Sequence, residues 1–118
     1  PTLPQIAALA AFDATDELED NRATYQRNRD LLLEALPKLG FGKIAPVDGA
    51  FYMYIDVSDR TGDATAFAKA MLHETGVAVT PGVDFDPDQG HHFIRLCFAR
   101  STPEIEQAIE RLARWMQA

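Results

Sequence analysis

The stretch Gly90-His91-His92-Phe93-Ile94-Arg95-Leu96-Cys97-Phe98-Ala99 decides the fold, because it predicts an apolar strand over residues 93–99 with one arginine in its middle. On the two-residue period of a strand, one face carries Phe93, Arg95, Cys97 and Ala99, and the other carries Ile94, Leu96 and Phe98. An arginine on an otherwise apolar face needs an anionic partner, because a desolvated charge without one is very costly.

Two interpretations of Arg95 follow from the residue types. In the first, an Asp or Glu of the same chain pairs with the guanidinium, or the face is simply exposed to water. In the second, the partner is a carboxylate or phosphate of a ligand, which the planar guanidinium binds through two parallel hydrogen bonds. The residue types leave both interpretations open.

The composition is typical of one ordinary soluble domain, because 47% of the 118 residues are hydrophobic and 25% are charged. Eighteen acidic residues against eleven basic ones, with no basic stripe, argue against a nucleic-acid or anionic-membrane partner and favour small molecules or proteins. No apolar run approaches the ~20 residues of a membrane span. The start lacks a signal-peptide pattern, so we expect a cytoplasmic location. The single Cys97 is expected to be a buried, inert thiol.

The first forty residues predict two helices. Residues 4–12 are apolar on nearly all sides, so a helix there needs cover from a neighbour, unless the terminus is disordered or swapped. A long helix over residues 15–36 is opened by Thr15 or Asp16 and stopped by Pro37 and Gly40. Its polar first half suits a connector between two domains, whereas its second half carries an apolar stripe that packs.

The remaining residues predict a small sheet and two more helices. Their signals are a weakly strand-like segment over 41–47, an alternating strand over 51–57, a helix between Asp63 and Gly76, a short strand over 77–80 and a type II turn over Thr80–Val83. Before a last amphipathic helix, either Ser101 and Glu104 form a capping box or Thr102 caps the helix with Pro103 in its first position. This order of elements predicts an α+β fold, in which helices cover a small, mainly antiparallel sheet and a long connector helix precedes it.

The acidic run Asp84–Gly90 has the alternating carboxylates of a calcium loop, but two features argue against one. The glycine comes one residue late for the sharp turn, and Arg95 stands where a bidentate Glu is needed. The adjacent His91 and His92 would point to opposite faces of an extended chain, and no further Cys or His follows at zinc-ligand spacing. We therefore expect no metal site.

Several segments in a fixed order resemble one known family. They are Gly49-Ala50-Phe51-Tyr52-Met53-Tyr54, then Gly76-Val77-Ala78-Val79-Thr80-Pro81-Gly82 with Phe85 after it, then Phe93–Ala99, and then the helix over residues 104–116. With these spacings, the chain is similar to the C-terminal small domain of class I/II (fold-type I) pyridoxal-phosphate-dependent aminotransferases. The similarity covers essentially all 118 residues, because the apolar helix and the long connector also match what precedes that domain.

The resemblance implies roles for two residues of this chain. Arg95 would bind the α-carboxylate of the amino-acid or 2-oxo-acid substrate, and Phe51 would lie near the mouth of the substrate site. Pyridoxal 5'-phosphate would be held by a large domain of the same polypeptide that is missing here. The chain would then supply no catalytic, cofactor-binding or metal-binding residue, would be inactive alone, and would belong to a homodimeric parent enzyme.

The lysines agree with that implication, because Lys38, Lys43 and Lys69 all lie in polar, helix-end or loop contexts and not in the desolvated pocket of a Schiff-base amine. The implied organisation assigns residues 1–14 to the missing large domain, 15–40 to a connector helix and 41–118 to the small domain. The alternative is a free-standing α+β regulatory module that binds a small carboxylate effector through Arg95. A third interpretation is purely structural and pairs Arg95 with an internal acid.

Overall fold

The computed structural model describes residues 1–117, and a three-stranded antiparallel sheet lies at its centre. The strands are β1 (Tyr52–Asp56), β2 (Thr80–Pro81) and β3 (Phe93–Cys97), in the spatial order β1-β3-β2. Arg95 in the middle of β3 pairs with Tyr54 on one side and with Thr80 on the other. The weakly strand-like segment before β1 contributes only an isolated bridge between Ile44 and Ile55.

Four α-helices accompany this sheet. They are α1 (Thr2–Ala11), α2 (Thr15–Lys38), α3 (Ala64–Thr75) and α4 (Thr102–Met116), and two short 3-10 turns cover Gly82–Asp84 and Gly90–His92. The α+β class and the small antiparallel sheet covered by helices are therefore confirmed. Among residues 1–117, no helix is both long and apolar enough to cross a membrane.

One hydrophobic core joins the sheet to the helices that cover it. It contains Leu32, Leu36, Phe41, Met53, Ile55, Val57, Ala64, Met71, Ile94, Leu96, Phe98, Ile105 and Leu112. Ile94 and Leu96 lie on the face of β3 that the two-residue period predicts to be apolar, and Met53 and Ile55 of β1 pair with them directly. The opposite face of β3, which carries Arg95, is only half-buried.

The helix ends follow most of their sequence signals. Asp63 accepts hydrogen bonds from the backbone N–H groups of Thr65 and Ala66, and Gly76 ends α3 in the left-handed conformation with φ +73°. Ser101 and Glu104 form the predicted capping box at the start of α4. These caps satisfy backbone groups that a helix end otherwise leaves without partners.

The ends of α2 differ from the prediction. The residue before its first turn is Ala14, with no side-chain cap, so neither Thr15 nor Asp16 opens the helix as a cap. At the other end, Pro37 lies inside the last turn and the helix continues to Lys38. Gly40, with φ +85°, then takes the left-handed conformation that redirects the chain.

The segment Thr80–Val83 does not form the predicted type II turn. Such a turn needs a positive φ at Gly82, whereas Gly82 begins a 3-10 turn without one. Its glycine is required for another reason: a Cβ there would lie 2.6 Å from the carbonyl oxygen of Gly90 and 2.6 Å from the hydroxyl of Tyr54. The close approach of the two glycines fixes the loop between them.

No residue of α1 is buried. Its large apolar side chains, Leu3, Ile6 and Leu9, are exposed, and so is Phe12 immediately after the helix. An all-apolar helix is stable in water only when another surface covers it. The sequence predicts that α1 needs cover from a neighbour, and no element among residues 1–117 buries it.

Candidate carboxylate-binding site

Arg95 occupies the central position of the sheet, with its side chain half-buried on the face opposite the core. Its guanidinium carbon lies 4.2 Å from the ring centroid of Tyr52 and 4.1 Å from that of Phe85. Tyr52 comes from the adjacent strand β1, and Phe85 comes from the loop after the first 3-10 turn. Two aromatic rings from different elements therefore contact one cation, at distances where cation–π attraction is significant.

The ion pairs formed within residues 1–117 do not include Arg95. They join Arg22 to Glu19, Arg29 to Asp30, Lys38 to Glu34, Lys43 to Asp59, and Arg100 to Glu104. In the same residue range, Arg95 also takes no part in a side-chain hydrogen bond. The interpretation that pairs Arg95 with an internal acid thus finds no such acid in this part of the chain.

Phe51 and Arg95 both contact the ring of Tyr52. The Phe51 ring is 4.5 Å from the ring of Tyr52, which in turn contacts the guanidinium. On its other side, Phe51 meets the edge of Tyr25 from α2 at 6.1 Å. Phe51 is 37% exposed, so its ring forms part of an open surface beside Arg95. The two residues singled out by the sequence are therefore brought together, with Tyr52 between them.

Ala50, immediately before Phe51, has a φ of +55°. The left-handed region is uncommon for a residue with a Cβ and costs energy that the surrounding structure must offset. Ala50 also lines a groove of about 530 Å³ between the first half of α2 and the turn at residues 47–50. Neither Arg95 nor Phe51 is among the residues that line this groove.

Tyr54 lies beside Arg95 on the same face of the sheet. Its ring stacks on Phe93 at 4.7 Å and its hydroxyl is buried without a hydrogen-bond partner among residues 1–117. Burial raises the pKa of the Tyr54 hydroxyl above its ordinary value, and the nearby Asp86 carboxylate raises it further. The hydroxyl is therefore held neutral over a wider pH range than that of a free tyrosine.

Sequence reasoning missed the part that Tyr52 and Phe85 play. The alternation over residues 51–57 does not single out Tyr52, and Phe85 enters only as part of the family pattern. The signal for Tyr52 was available, because antiparallel pairing sets it diagonally across from Arg95 on one face. Phe85 could not be found in this way, because its position depends on the path of the loop from Gly82 to Gly90.

The sequence matches the family model described as aminotransferase class I and II over residues 1–112. The chain belongs to the class I and II aminotransferase family. It is 48% identical to the valine–pyruvate aminotransferase of Mycobacterium tuberculosis over 118 residues, and 41% identical to the aspartate/prephenate aminotransferase of Thermus thermophilus over 116 residues. These alignments cover 98% and 92% of the chain, but only 30% and 29% of the relatives' lengths.

Solved aminotransferase structures contain the same fold. A crystal structure of an aminotransferase from Mycobacterium tuberculosis matches 99% of the chain with a TM-score of 0.94 and 48% identity. An aspartate aminotransferase from Thermotoga maritima matches 99% with a TM-score of 0.81 and 30% identity. In these comparisons the chain covers 31% and 29% of the solved chains, so it spans about a third of an aminotransferase of this family.

The lysines of the described residues do not suit the cofactor of this family. Lys38 pairs with Glu34 and Lys43 pairs with Asp59, both on the surface, and Lys69 is exposed. An amine that forms a Schiff base needs a desolvated or otherwise activated setting, which these three side chains lack. The same residues 1–117 hold no group of three or more His, Cys, Asp or Glu side chains arranged to bind a metal ion.

Cys97 is exposed, so the prediction of a buried thiol was wrong. The residue shares the Arg95 face of β3, and that face is not covered by the core. The apolar pattern of the strand indicated burial on both faces, whereas only the Ile94 and Leu96 face is packed. A strand flanked by turns does not reveal by itself which of its faces lacks cover.

Proposed function

We propose that this chain is the small domain of a pyridoxal-phosphate-dependent aminotransferase and that Arg95 binds the α-carboxylate of the amino-acid and 2-oxo-acid substrates. The observation that carries the proposal is a half-buried guanidinium that is restrained by two aromatic rings and has no acidic partner in residues 1–117. A charge so placed gains its partner only when an anion arrives.

A carboxylate bound through two parallel hydrogen bonds has a fixed orientation as well as a fixed position. That orientation matters in catalysis, because holding a reactant in the geometry of attack lowers the barrier that remains. If the clamp contributes about 3 kcal/mol, the upper end for a hydrogen bond to a charged group, its loss costs about two decades in kcat/KM.

Phe51 is proposed to line the mouth of the substrate site. Its ring is partly exposed and contacts Tyr52, which contacts Arg95, and these contacts support an apolar surface next to the proposed carboxylate position. The strained backbone at Ala50 supports this role, because residues with such strain cluster at active sites and ligand-binding segments.

The cofactor would be bound outside this chain, since its lysines lie on the surface. We propose that the parent polypeptide contains a large cofactor-binding domain, that residues 1–14 pack on it, and that 15–40 and 41–118 are the connector helix and the small domain. The exposed apolar residues of α1 support this arrangement. The chain would not transaminate alone, and the parent would be a homodimer, as the family resemblance implies.

The relatives differ in the substrates that their names state. One is a valine–pyruvate aminotransferase, another an aspartate/prephenate aminotransferase, and a third an LL-diaminopimelate aminotransferase. We propose only the feature that such substrates have in common and that an arginine can bind, which is the carboxylate of an amino acid or 2-oxo acid. Recognition of the substrate side chain would depend on residues outside this chain.

The test replaces Arg95 in the full-length enzyme that contains this chain. Arg95→Lys keeps the charge but loses the two-pronged geometry, so kcat/KM for the amino-acid substrate should fall about 100-fold while cofactor absorbance stays unchanged. The matched control is Arg100→Lys, at an exposed position whose ion pair with Glu104 lies on the surface. Turnover within twofold of the unmodified enzyme would contradict the carboxylate role.

A further inference from the structure

We infer that Tyr52 and Phe85 are positioning residues, which hold the Arg95 guanidinium in the orientation that a carboxylate needs before any ligand arrives. The inference rests on the proposed function and adds to it: the carboxylate-binding part of the site is preformed within this chain. The observation is the contact of both rings with one guanidinium carbon, at 4.2 Å for Tyr52 and 4.1 Å for Phe85.

An arginine side chain is long and rotamer-rich, so a free guanidinium loses much conformational freedom when it binds a ligand. A site that restrains the guanidinium beforehand avoids part of that loss at the moment of binding. Two rings from different elements are suited to this task, because a rotation away from either ring forfeits a cation–π contact.

Aromatic rings have an advantage over an internal carboxylate as the restraint. An Asp or Glu would occupy the guanidinium N–H groups and compete with the substrate for them. A ring face attracts the cation without accepting strong hydrogen bonds, so the donors stay available. This distinction explains how a cation on an apolar sheet is held in place without an acidic partner in residues 1–117.

Both rings are themselves fixed by the fold. The Tyr52 ring packs against Phe51 at 4.5 Å on a strand that is paired with β3. Phe85 follows the turn at Gly82, whose carbonyl accepts hydrogen bonds of 2.9 Å from the N–H groups of Phe85 and Asp86. Because Gly82 also touches Gly90, the loop that carries Phe85 cannot shift freely.

The Phe85 ring is 51% exposed, so burial in the core does not explain its position. This exposure makes Phe85→Leu a suitable test, because the substitution removes the aromatic face with little loss of packing. Phe85→Trp is the conservative variant that keeps such a face. The matched control is Phe12→Leu, the same change at an exposed phenylalanine that follows α1.

The first measurement uses the full-length enzyme that contains this chain, without substrate. Nitrogen-15 relaxation of the Arg95 Nε–H group should report a rigid side chain, and Phe85→Leu or Tyr52→Leu should lower its order parameter markedly. Phe12→Leu should leave the order parameter unchanged, and Phe85→Trp should retain it. An unchanged order parameter in both leucine variants would overturn the inference. If Tyr52→Leu fails to fold, Phe85→Leu decides alone.

The second measurement is the affinity of the same full-length enzyme for pyruvate, a 2-oxo acid, followed by NMR titration. Phe85→Leu should raise the Kd about fivefold, which corresponds to about 1 kcal/mol, and should have no effect in an Arg95→Lys background. An equal loss in both backgrounds would overturn the positioning role. If the order parameter falls but pyruvate binding is insensitive to Arg95→Lys, the rings restrain the arginine and the proposed carboxylate role fails instead.

Discussion

Arg95 lies within β3 and Asn28 contacts the segment that follows this strand, and the two polar side chains differ in where their partners lie. Asn28 is fully buried, donates to the carbonyl oxygens of Phe98 at 3.0 Å and Arg100 at 2.7 Å, and accepts from the Thr102 hydroxyl at 2.9 Å. Arg95 is half-buried and contacts aromatic rings. A polar group whose partners are internal holds the fold together, whereas one without them is available to a ligand.

Arg60 separates the effect of the aromatic ring from the effect of the hydrogen bonds. Its guanidinium also lies over a ring, that of Phe41 at 4.9 Å, and it donates to the carbonyl oxygens of Leu39 at 3.2 Å and Gly40 at 3.0 Å. Aromatic contact is therefore common to both arginines. Backbone acceptors distinguish Arg60, and they give it the structural character that Arg95 lacks.

The largest expected effect is at the Asn28 end of the comparison. Asn28→Ala should lower the free energy of unfolding by about 3 kcal/mol, because it removes the two hydrogen bonds that the amide donates to the carbonyls of Phe98 and Arg100 and the one that it accepts from Thr102. Urea unfolding measures the change. Asn21→Ala, at an exposed position of the same helix, should cost less than about 0.5 kcal/mol. Equal losses at the two positions would contradict a structural role for Asn28.

Arg95→Met, in contrast, should have little effect on stability. The free energy of unfolding should change by less than about 0.5 kcal/mol, because the lost cation–π contacts are offset by the desolvation of a charge that no longer has to be held. Arg60→Met is the matched control and should cost about 1 kcal/mol, since two backbone carbonyls lose their donor. A loss above about 1.5 kcal/mol at Arg95 would assign it a structural role.

The sequence was sufficient to predict the parts of the fold that depend on local chemistry. The cap at Asp63, the left-handed stop at Gly76 and the capping box before α4 are short-range interactions, so residue type and spacing predict them. The two-residue period likewise placed Ile94 and Leu96 on the face of β3 opposite Arg95, although it did not show which of the two faces is buried.

The features that escaped prediction depend on long-range geometry. Asn28 lies in the polar half of α2 and is buried where residues 98–100, which follow β3 about seventy residues later, pass beside it. The Pro81-Gly82 pair predicted a type II turn, but Gly82 packs closely against Gly90, a contact that local sequence does not reveal. Cys97 was expected to be buried because the strand is apolar, although cover on the second face is a property of the tertiary structure.

The smallest expected effect on stability is at Tyr54, which lies on the Arg95 face. Its hydroxyl, like the Arg95 guanidinium, has no hydrogen-bond partner within residues 1–117. Replacing an unpaired buried hydroxyl by hydrogen is neutral or stabilising, so Tyr54→Phe should raise the free energy of unfolding at pH 7 by at most about 1 kcal/mol. Urea unfolding of the two proteins measures this difference.

The pH dependence of that difference tests its cause. The pKa of Tyr54 is raised in the folded protein by burial and then by Asp86. Below the pKa of the unfolded chain, about 10, the hydroxyl is neutral in both states. Above that value the unfolded chain ionises first, so the free energy of unfolding falls as the pH rises. The advantage of Tyr54→Phe should therefore grow above pH 10, and Asp86→Asn should reduce that growth. If Tyr54→Phe instead lowers turnover of the full-length enzyme tenfold without destabilising it, Tyr54 finds its partner outside the chain, and the whole Arg95 face is a binding surface.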